Sequence, residues 1–365
     1  MKITSALNMA NPQYIETPRY TDSSFYAKER EAVFGKNWLM AGLSSTLPSP
    51  KSHHVVEILG KSILLTRDNN GVFHAFYNNC LHRGTQLAHK AGKSEIQCPY
   101  HGWRYDHQGR LLEIKSPEGL RGTPCNKGML RDIRCIEKSG LLWINFSQEA
   151  RGFDPDLQNI LEEISAYRLC EMSPIQARDF SFSINWKIVL ENSLDFYHVS
   201  HAHASTVGAH VQQSPTFEEL GLHNLQTLFI APYPWRSFLD ERTARGGPYT
   251  EKQKQSLHKY FIFPNLVLNV LPYHLTIMQL WPDATKACRM RYRFCLRKGA
   301  GVVEKARVYA SWLASRWILY EDVRLYKGIQ KGMTFSPFHK QPLHEEERSI
   351  AHFHKQLSLM TKDES

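Results

Sequence analysis

Two mixed pairs of cysteine and histidine are the residues with the clearest capacity for chemistry. Cys80 and His82 form the first pair, Cys98 and His101 form the second, and fifteen residues separate His82 from Cys98. When two cysteines of a 2Fe-2S cluster are replaced by histidines, the thiolates bind one iron, the imidazoles bind the other, and the reduction potential rises. The pairs therefore predict a 2Fe-2S cluster with two unlike irons, which transfers single electrons.

A tetrahedral zinc site is the alternative, because two cysteines and two histidines also suit zinc. Zinc spacings commonly pair cysteine with cysteine and histidine with histidine, whereas both pairs here are mixed. Gly84, Pro99 and Gly102 beside the pairs suit tight loops whose backbone N–H groups face sulfide. These features favour the cluster over zinc.

A second group of metal-ligating residue types follows a segment with a helical apolar rhythm. Asp195, His198, His201 and His203 lie within nine residues, and His210 comes soon after. Asp195 and His198 are three residues apart and so share one side of a helix, as do His198 and His201. Since histidines are often merely half-buried, the residues alone leave a metal site and a solvated helix end equally open.

The sequence around both groups resembles one family, the α subunits of Rieske non-haem iron oxygenases. Cys80-Leu-His82-Arg-Gly84 with Cys98-Pro-Tyr-His101-Gly-Trp103 resembles the Rieske signature. Asn185-Trp-Lys, Glu191-Asn and Asp195-x-Tyr-His198-x4-His203 resemble the signature of the catalytic domain. The resemblance implies that His198 and His203, rather than His201, bind a mononuclear Fe(II). The helix must then end or bend near Ser200.

The third iron ligand should be a carboxylate, because two histidines and one carboxylate leave open positions for dioxygen. Glu321 and Asp322 are the candidates in a helical segment at 311–330. Glu321 can pair with Arg324 at the surface, whereas Asp322 lies on an apolar face, where a carboxylate is costly to bury unless it is paired or bound to metal. The family pattern also favours Asp322, and Glu321 is the alternative.

The resemblance gives Asp195 a separate role in electron transfer. In the family, this aspartate contacts a Rieske histidine of a neighbouring chain, here His101, and an iron ligand of its own chain. A carboxylate that accepts an imidazole N–H orients the ring and raises its basicity. The arrangement implies a ring-shaped homotrimer.

These residues need a scaffold of two domains, which the resemblance predicts to be of the α+β class. Residues 1–35 are predicted to form an N-terminal arm and a helix capped by Asp22. Residues 36–147 are predicted to form a small all-β Rieske domain, and residues 158–365 a larger catalytic domain with a curved antiparallel sheet covered by helices. The stretch 147–157, with Gly152 and Pro155, is interpreted as a linker.

The composition indicates which binding partners and which cellular compartment to expect. The chain has 365 residues and a net charge of +10, without a lysine/arginine block carrying interleaved aromatics, so nucleic acid is the weakest candidate partner. An acidic ferredoxin or an NAD(P)H-dependent reductase is the more natural one.

With no apolar run of eighteen residues and no signal-peptide core, we expect a cytoplasmic protein that does not enter a membrane. The remaining cysteines are interpreted as reduced core thiols: Cys125, Cys135, Cys170, Cys288 and Cys295.

The resemblance implies an oxygenase that uses dioxygen and reductase-supplied electrons to hydroxylate or oxidatively demethylate a small organic substrate. A cis-dihydroxylating dioxygenase is an alternative, and a Rieske electron-transfer protein without oxygenase activity is an alternative of another class. The stretch 212–249 is interpreted as a pocket lid, with Arg236, Arg242 and Arg245 as candidates for binding a carboxylate. Four aromatic residues could stack on a ring or surround a quaternary ammonium: Tyr233, Trp235, Phe238 and Tyr273.

Overall fold

The structure is a computed structural model that describes residues 11–124, 128–149, 152–208, 214–229, 256–271 and 274–362. The chain divides into two compact units. One unit comprises residues 35–153 and 169–171, and the other comprises residues 1–34, 154–168 and 172–365. Antiparallel sheets and helices together confirm the α+β class.

The strands in chain order are β1 (Tyr14–Glu16), β2 (Leu39–Leu43), β3 (Ser52–Ile58), β4 (Lys61–Arg67), β5 (Phe73–Tyr77), β6 (Ile96–Gln97), β7 (Arg104–Tyr105), β8 (Leu111–Glu113), β9 (Asp132–Lys138), β10 (Leu141–Asn145), β11 (Met172–Phe182), β12 (Thr216–Leu220), β13 (His223–Phe229), β14 (Ser256–Ile262), β15 (Leu266–Val270), β16 (Leu275–Ala284), β17 (Ala287–Arg297) and β18 (Lys340–Pro342). The α-helices are α1 (Ser23–Lys28), α2 (Pro155–Glu163), α3 (Trp186–Leu194), α4 (Val199–Ala202), α5 (Val302–Phe335) and α6 (Arg348–Thr361).

The first unit is a β structure that presents the two Cys/His loops. Its six-stranded antiparallel sheet has the order β2-β10-β9-β5-β4-β3, and a three-stranded sheet has the order β6-β7-β8. One Cys/His loop follows β5 and the other joins β6 to β7. Apolar side chains under both loops form one core cluster with the two cysteines, which anchors the loops to the sheets: Leu64, Phe76, Leu87, Ile96, Trp103, Tyr105 and Leu130.

The second unit is built on a seven-stranded antiparallel sheet with the order β11-β17-β16-β15-β14-β13-β12. Residues on β14, β15 and β16 are buried almost without interruption, as expected for strands covered on both faces. Helix α3 contacts β16, β17 and α5, and α6 contacts α3 and β13. The sheet therefore supports the helices that carry the second group of candidate ligands.

The predicted cap of the first helix is confirmed. The Asp22 carboxylate accepts the Ser24 N–H at 2.7 Å and caps α1.

The structure differs from the local predictions at four points. The helix expected to end or bend near Ser200 already ends at Leu194. The stretch 147–157, interpreted as a linker, contains the division between the two units, and α2 begins near its end because Asp154 caps that helix. The described part of the predicted lid forms β12 and β13, since its alternating side chains pair in the sheet. Cys170 is exposed rather than in the core.

Within the described part of the chain, no helix combines the length and the apolar character that crossing a membrane requires.

Candidate metal centres

The two Cys/His loops share one backbone pattern. The Gly84 N–H donates to the Cys80 carbonyl at 2.9 Å, and the Gly102 N–H donates to the Cys98 carbonyl at 3.0 Å. Each cysteine N–H in turn donates to the carbonyl five residues later, at 2.8 Å in both loops. The glycines have φ angles of +72° and +70°, a backbone region that side-chain-bearing residues rarely adopt. Glycine thus closes both turns.

The loops bring the four predicted cluster ligands together. The Nδ1 atoms of His82 and His101 lie 3.1 Å apart. Both histidines are exposed, whereas Cys80 and Cys98 are each only 3% exposed. Burial raises the pKa of the Cys80 thiol, and a bound metal would hold that group as the thiolate. Inward thiols and outward imidazoles fit a cluster whose two irons have different ligands.

Two aromatic residues that the sequence did not single out for these roles support the loops. The Tyr105 hydroxyl accepts the Leu81 N–H at 3.1 Å and lies 3.2 Å from Cys80 Sγ. Its proton is then free to point at the sulfur. Trp103 stacks on the His82 ring, with centroids 5.0 Å apart and an interplanar angle of 8°. Only the three-dimensional proximity of β7 to the first loop reveals the Tyr105 contact.

In the second unit, the predicted iron ligands also converge. One ligand atom from each of His198, His203 and Asp322 lies within 4.8 Å of the others. Asp322 Oδ1 is 3.0 Å from His203 Nε2 and 3.7 Å from His198 Nε2. Two histidines and one carboxylate at these separations fit the facial triad that binds non-haem Fe(II).

A break in the helix makes this convergence possible. Helix α3 ends at Leu194, and Asp195 is extended, with φ −73° and ψ 135°. The single-turn helix α4 then separates His198 from His203. His201 lies on α4 but is exposed, and it is not part of the ligand group. The early end of α3 thus explains why straight helical spacing favours His201, which the structure does not bring to the group formed by His198, His203 and Asp322.

Carboxylates hold the outer nitrogens of both histidines. Asp195 Oδ2 is 2.8 Å from His198 Nδ1, and Glu321 Oε2 is 2.6 Å from His203 Nδ1. Such contacts fix the ring orientation of a metal ligand and raise its basicity. The predicted surface pairing of Glu321 with Arg324 is therefore not its principal contact. The hydrogen bond from His203 lowers the pKa of Glu321, and hydrogen bonds with Asp322 and Glu321 raise the pKa of His203 against the effect of burial.

A further hydrogen-bonded chain orients Asp322. The Asn192 amide donates to Asp322 Oδ1 at 3.1 Å, and the Tyr326 hydroxyl donates to Asn192 Oδ1 at 2.9 Å. Asn192 lies on α3 and Tyr326 lies one turn after Asp322 on α5. The Glu-Asn motif was recognisable in the sequence, but its contact with Asp322 was not.

Several predicted residues lie outside the described part of the chain. They are Cys125, His210, Tyr233, Trp235, Arg236, Phe238, Arg242, Arg245 and Tyr273.

A Cys2His2 site of the cluster type and a separate two-histidine, one-carboxylate site define the class of Rieske iron oxygenases. The chain belongs to the family of ring hydroxylating alpha subunits, whose catalytic-domain model matches residues 169–362. The Rieske 2Fe-2S domain model matches residues 37–124. The chain is thus an oxygenase that uses a 2Fe-2S cluster and a mononuclear iron to oxidise a small organic substrate with dioxygen and reductase-supplied electrons.

Known relatives extend over most of the chain. The carnitine monooxygenase oxygenase subunit of Escherichia coli (strain K12) is 27% identical, over 97% of this chain and 96% of the relative. The chloroplastic choline monooxygenase of Amaranthus tricolor is 25% identical, over 92% of this chain and 75% of the relative. A crystal structure of a quaternary ammonium Rieske monooxygenase with L-carnitine shares the fold, with a TM-score of 0.81, 20% identity and 97% coverage of both chains.

Proposed function

We propose that this oxygenase is a monooxygenase of small quaternary ammonium compounds. The observation that carries the substrate class is the full-length similarity to a carnitine monooxygenase, supported by similarity to a choline monooxygenase. The charge of the site agrees with a cationic substrate. Three carboxylates, Asp195, Glu321 and Asp322, surround the two histidines, and negative charge in a partly dry site attracts a cation.

In this proposal, Cys80, His82, Cys98 and His101 hold the 2Fe-2S cluster, and His198, His203 and Asp322 hold the Fe(II). Bound Fe(II) would supply the dioxygen chemistry. The protein's own part is to orient the ligands through Asp195, Glu321 and Asn192, and to hold the substrate beside the open side of the triad. The balance is one C–H bond, one dioxygen, two electrons and two protons in, and one C–OH bond and one water out.

The position of hydroxylation decides the products. When a carbon bonded to the quaternary nitrogen is hydroxylated, its C–N bond can break heterolytically. The electron pair stays on nitrogen, the hydroxyl proton leaves, and the products are a tertiary amine and a carbonyl compound. Hydroxylation at a methyl group therefore releases formaldehyde, which amounts to oxidative demethylation.

Electron delivery belongs to the same proposal. His101 is exposed, and the Asp195 side chain is 16% exposed while it contacts His198. We propose a homotrimer in which Asp195 of one chain meets His101 of the next, with electrons supplied by an NAD(P)H-dependent reductase, directly or through a ferredoxin. The six described cysteines are free thiols, which agrees with a cytoplasmic location.

The first test is metal and sulfide content. We expect about three irons and two acid-labile sulfides per chain, with a low-average-g EPR signal after dithionite reduction. His203→Ala should lose the third iron, whereas His201→Ala should retain it. Zinc without sulfide in anaerobically prepared protein would contradict the cofactor assignment.

The second test is turnover with a reductase, NAD(P)H and dioxygen. Carnitine, γ-butyrobetaine, glycine betaine and choline are offered beside naphthalene, and products are identified by mass spectrometry. We expect oxidation of at least one quaternary ammonium compound, matched by consumption of NAD(P)H without excess peroxide. Formation of a diol from naphthalene, without oxidation of any ammonium compound, would instead favour the dihydroxylating alternative.

A further inference from the structure

Four polar side chains form a row across the large sheet of the second unit. Gln226 on β13 pairs with Lys259 on β14, Lys259 pairs with Asn269 on β15, and Asn269 pairs with Thr276 on β16. Directly opposed residues on neighbouring strands share one face of a sheet. Gln226 and Thr276 are only 2% and 4% exposed, and the other two are half-buried. Burial of polar groups costs free energy unless they form hydrogen bonds.

This row lies on the face turned to the proposed iron site. The Lys259 amine donates to the Ser193 carbonyl at 2.8 Å, and the Gln226 amide donates to the Leu194 carbonyl at 2.9 Å. These carbonyls end helix α3, immediately before Asp195. The carboxylates of Asp195 and Asp322 also act electrostatically on the Lys259 amine. The lysine is therefore a cation beside the proposed catalytic centre.

Some hydrogen-bonding atoms of this row have no partner among the described residues. A lysine ammonium carries three N–H bonds, and the Ser193 carbonyl accepts one of them. Gln226 Oε1 and Asn269 Oδ1 are buried, and no donor among the described residues reaches either oxygen. Buried polar atoms without a partner are rare in folded proteins and call for an explanation. A polar ligand lying against the row would provide one.

The charge of Lys259 limits which ligands can lie there. Burial lowers its pKa to about 8, and the nearby carboxylates of Asp195 and Asp322 oppose this effect and favour the charged form. An ammonium group repels a substrate whose only charge is a quaternary nitrogen, and it attracts a carboxylate. The carboxylates around the iron ligands have the opposite preference.

We propose that Lys259 is a specificity-determining residue that selects quaternary ammonium substrates carrying a carboxylate, as glycine betaine and γ-butyrobetaine do, over choline, which has none. The inference rests on the proposed function and deepens it. A zwitterion matches the site at both ends, because its carboxylate meets the Lys259 ammonium while its cationic nitrogen meets the carboxylates near the iron. The row would thus determine which member of the substrate class is bound.

The test measures dissociation constants by titration calorimetry on the protein loaded with cluster and iron, with γ-butyrobetaine and choline as ligands. For the wild type we expect tighter binding of γ-butyrobetaine. Lys259→Met should weaken γ-butyrobetaine by roughly 10- to 100-fold, the value of a charge-assisted hydrogen bond. It should leave choline unchanged or bound more tightly, because a like charge is removed. Lys259→Arg should restore part of the preference.

The variant Gln226→Met tests whether Lys259 selects the ligand or only supports the end of α3. Gln226 and Lys259 both donate to the end of α3, so a purely supporting role would make both methionine variants weaken the two ligands equally. That result, or equal binding of both ligands by the wild type, would overturn the inference while leaving the proposed function in place. If the wild type binds none of γ-butyrobetaine, choline, carnitine and glycine betaine, the proposed function itself fails.

Discussion

His203 is held between the carboxylates of two consecutive residues of α5. Its Nδ1 lies 2.6 Å from Glu321 and its Nε2 lies 3.0 Å from Asp322. One carboxylate is thus placed to orient the imidazole ring, and the other would bind the proposed iron together with that ring. The Thr206 hydroxyl adds a hydrogen bond to the same Glu321 oxygen, at 2.9 Å. We therefore propose that Glu321 positions His203, although Glu321 does not belong to the group of candidate ligands.

We expect Glu321→Gln to weaken iron binding without removing the cluster. The amide lacks the negative charge of the carboxylate, which raises the basicity of His203. Loss of such a contact to a metal-binding histidine typically lowers metal affinity by about 10- to 100-fold. Competition with a chelator measures the iron affinity, and the EPR signal of the reduced cluster reports on the other unit. Glu345→Gln, at an exposed glutamate of the same unit, is the matched control. Equal iron affinity in both variants would refute the role of Glu321.

At the scale of elements, the two-residue strand β7 couples a sheet to the cluster loop. It places the Tyr105 hydroxyl 3.2 Å from Cys80 Sγ. A hydrogen bond to a cluster sulfur stabilises the reduced state, which carries more negative charge. We therefore expect the reduction potential of the proposed cluster to depend on the position of this short strand.

We expect Tyr105→Phe to lower the reduction potential by on the order of 40 mV, the one-electron equivalent of a single hydrogen bond of about 1 kcal/mol. An EPR-monitored redox titration measures the change. Tyr77→Phe, which alters another tyrosine of the same unit, should leave the potential close to that of the wild type. A Tyr105→Phe potential equal to that of the wild type would mean that the hydroxyl proton does not reach the sulfur.

The elements also show how far the sequence could predict the site. The identities and spacing of Cys80, His82, Cys98 and His101 were sufficient to predict that these side chains lie close together, because one short loop holds each pair. The convergence of His198 and His203 depends on the end of α3 at Leu194, which local periodicity did not reveal. The pairing of His203 with Glu321 links residues 118 positions apart. Such a long-range contact depends on how α5 packs, and no local pattern encodes it.

At the scale of the whole molecule, the proposed electron path needs two copies of the chain. Co-expression of His101→Ala, which should lack the cluster, with His198→Ala, which should lack the iron, tests it. In randomly assembled closed rings, roughly half of the chains hold iron. Roughly half of these have a neighbouring chain whose cluster can supply electrons, so about a quarter of the wild-type rate should be recovered.

The control for this experiment is the same pair of variants purified separately and mixed after assembly, which should stay inactive. Metal analysis confirms that each variant lacks only its own cofactor. If the co-expressed chains show no more activity than the mixture, the two metal centres do not cooperate between chains in the proposed way.

The ligands of the proposed iron site come from distant parts of the chain, and this has a consequence for folding. Between His203 and Asp322 the chain makes the strands β12 to β17. Bound iron would therefore close a long loop as a cross-link does, and ligands that bind only the folded state stabilise it by mass action. We expect chelation of the iron to speed hydrogen–deuterium exchange in α4 and in the middle of α5, with β15 and β16 unchanged. Unaltered exchange in α5 would contradict this. Iron supply would then determine how long each chain survives proteolysis as well as whether it is active.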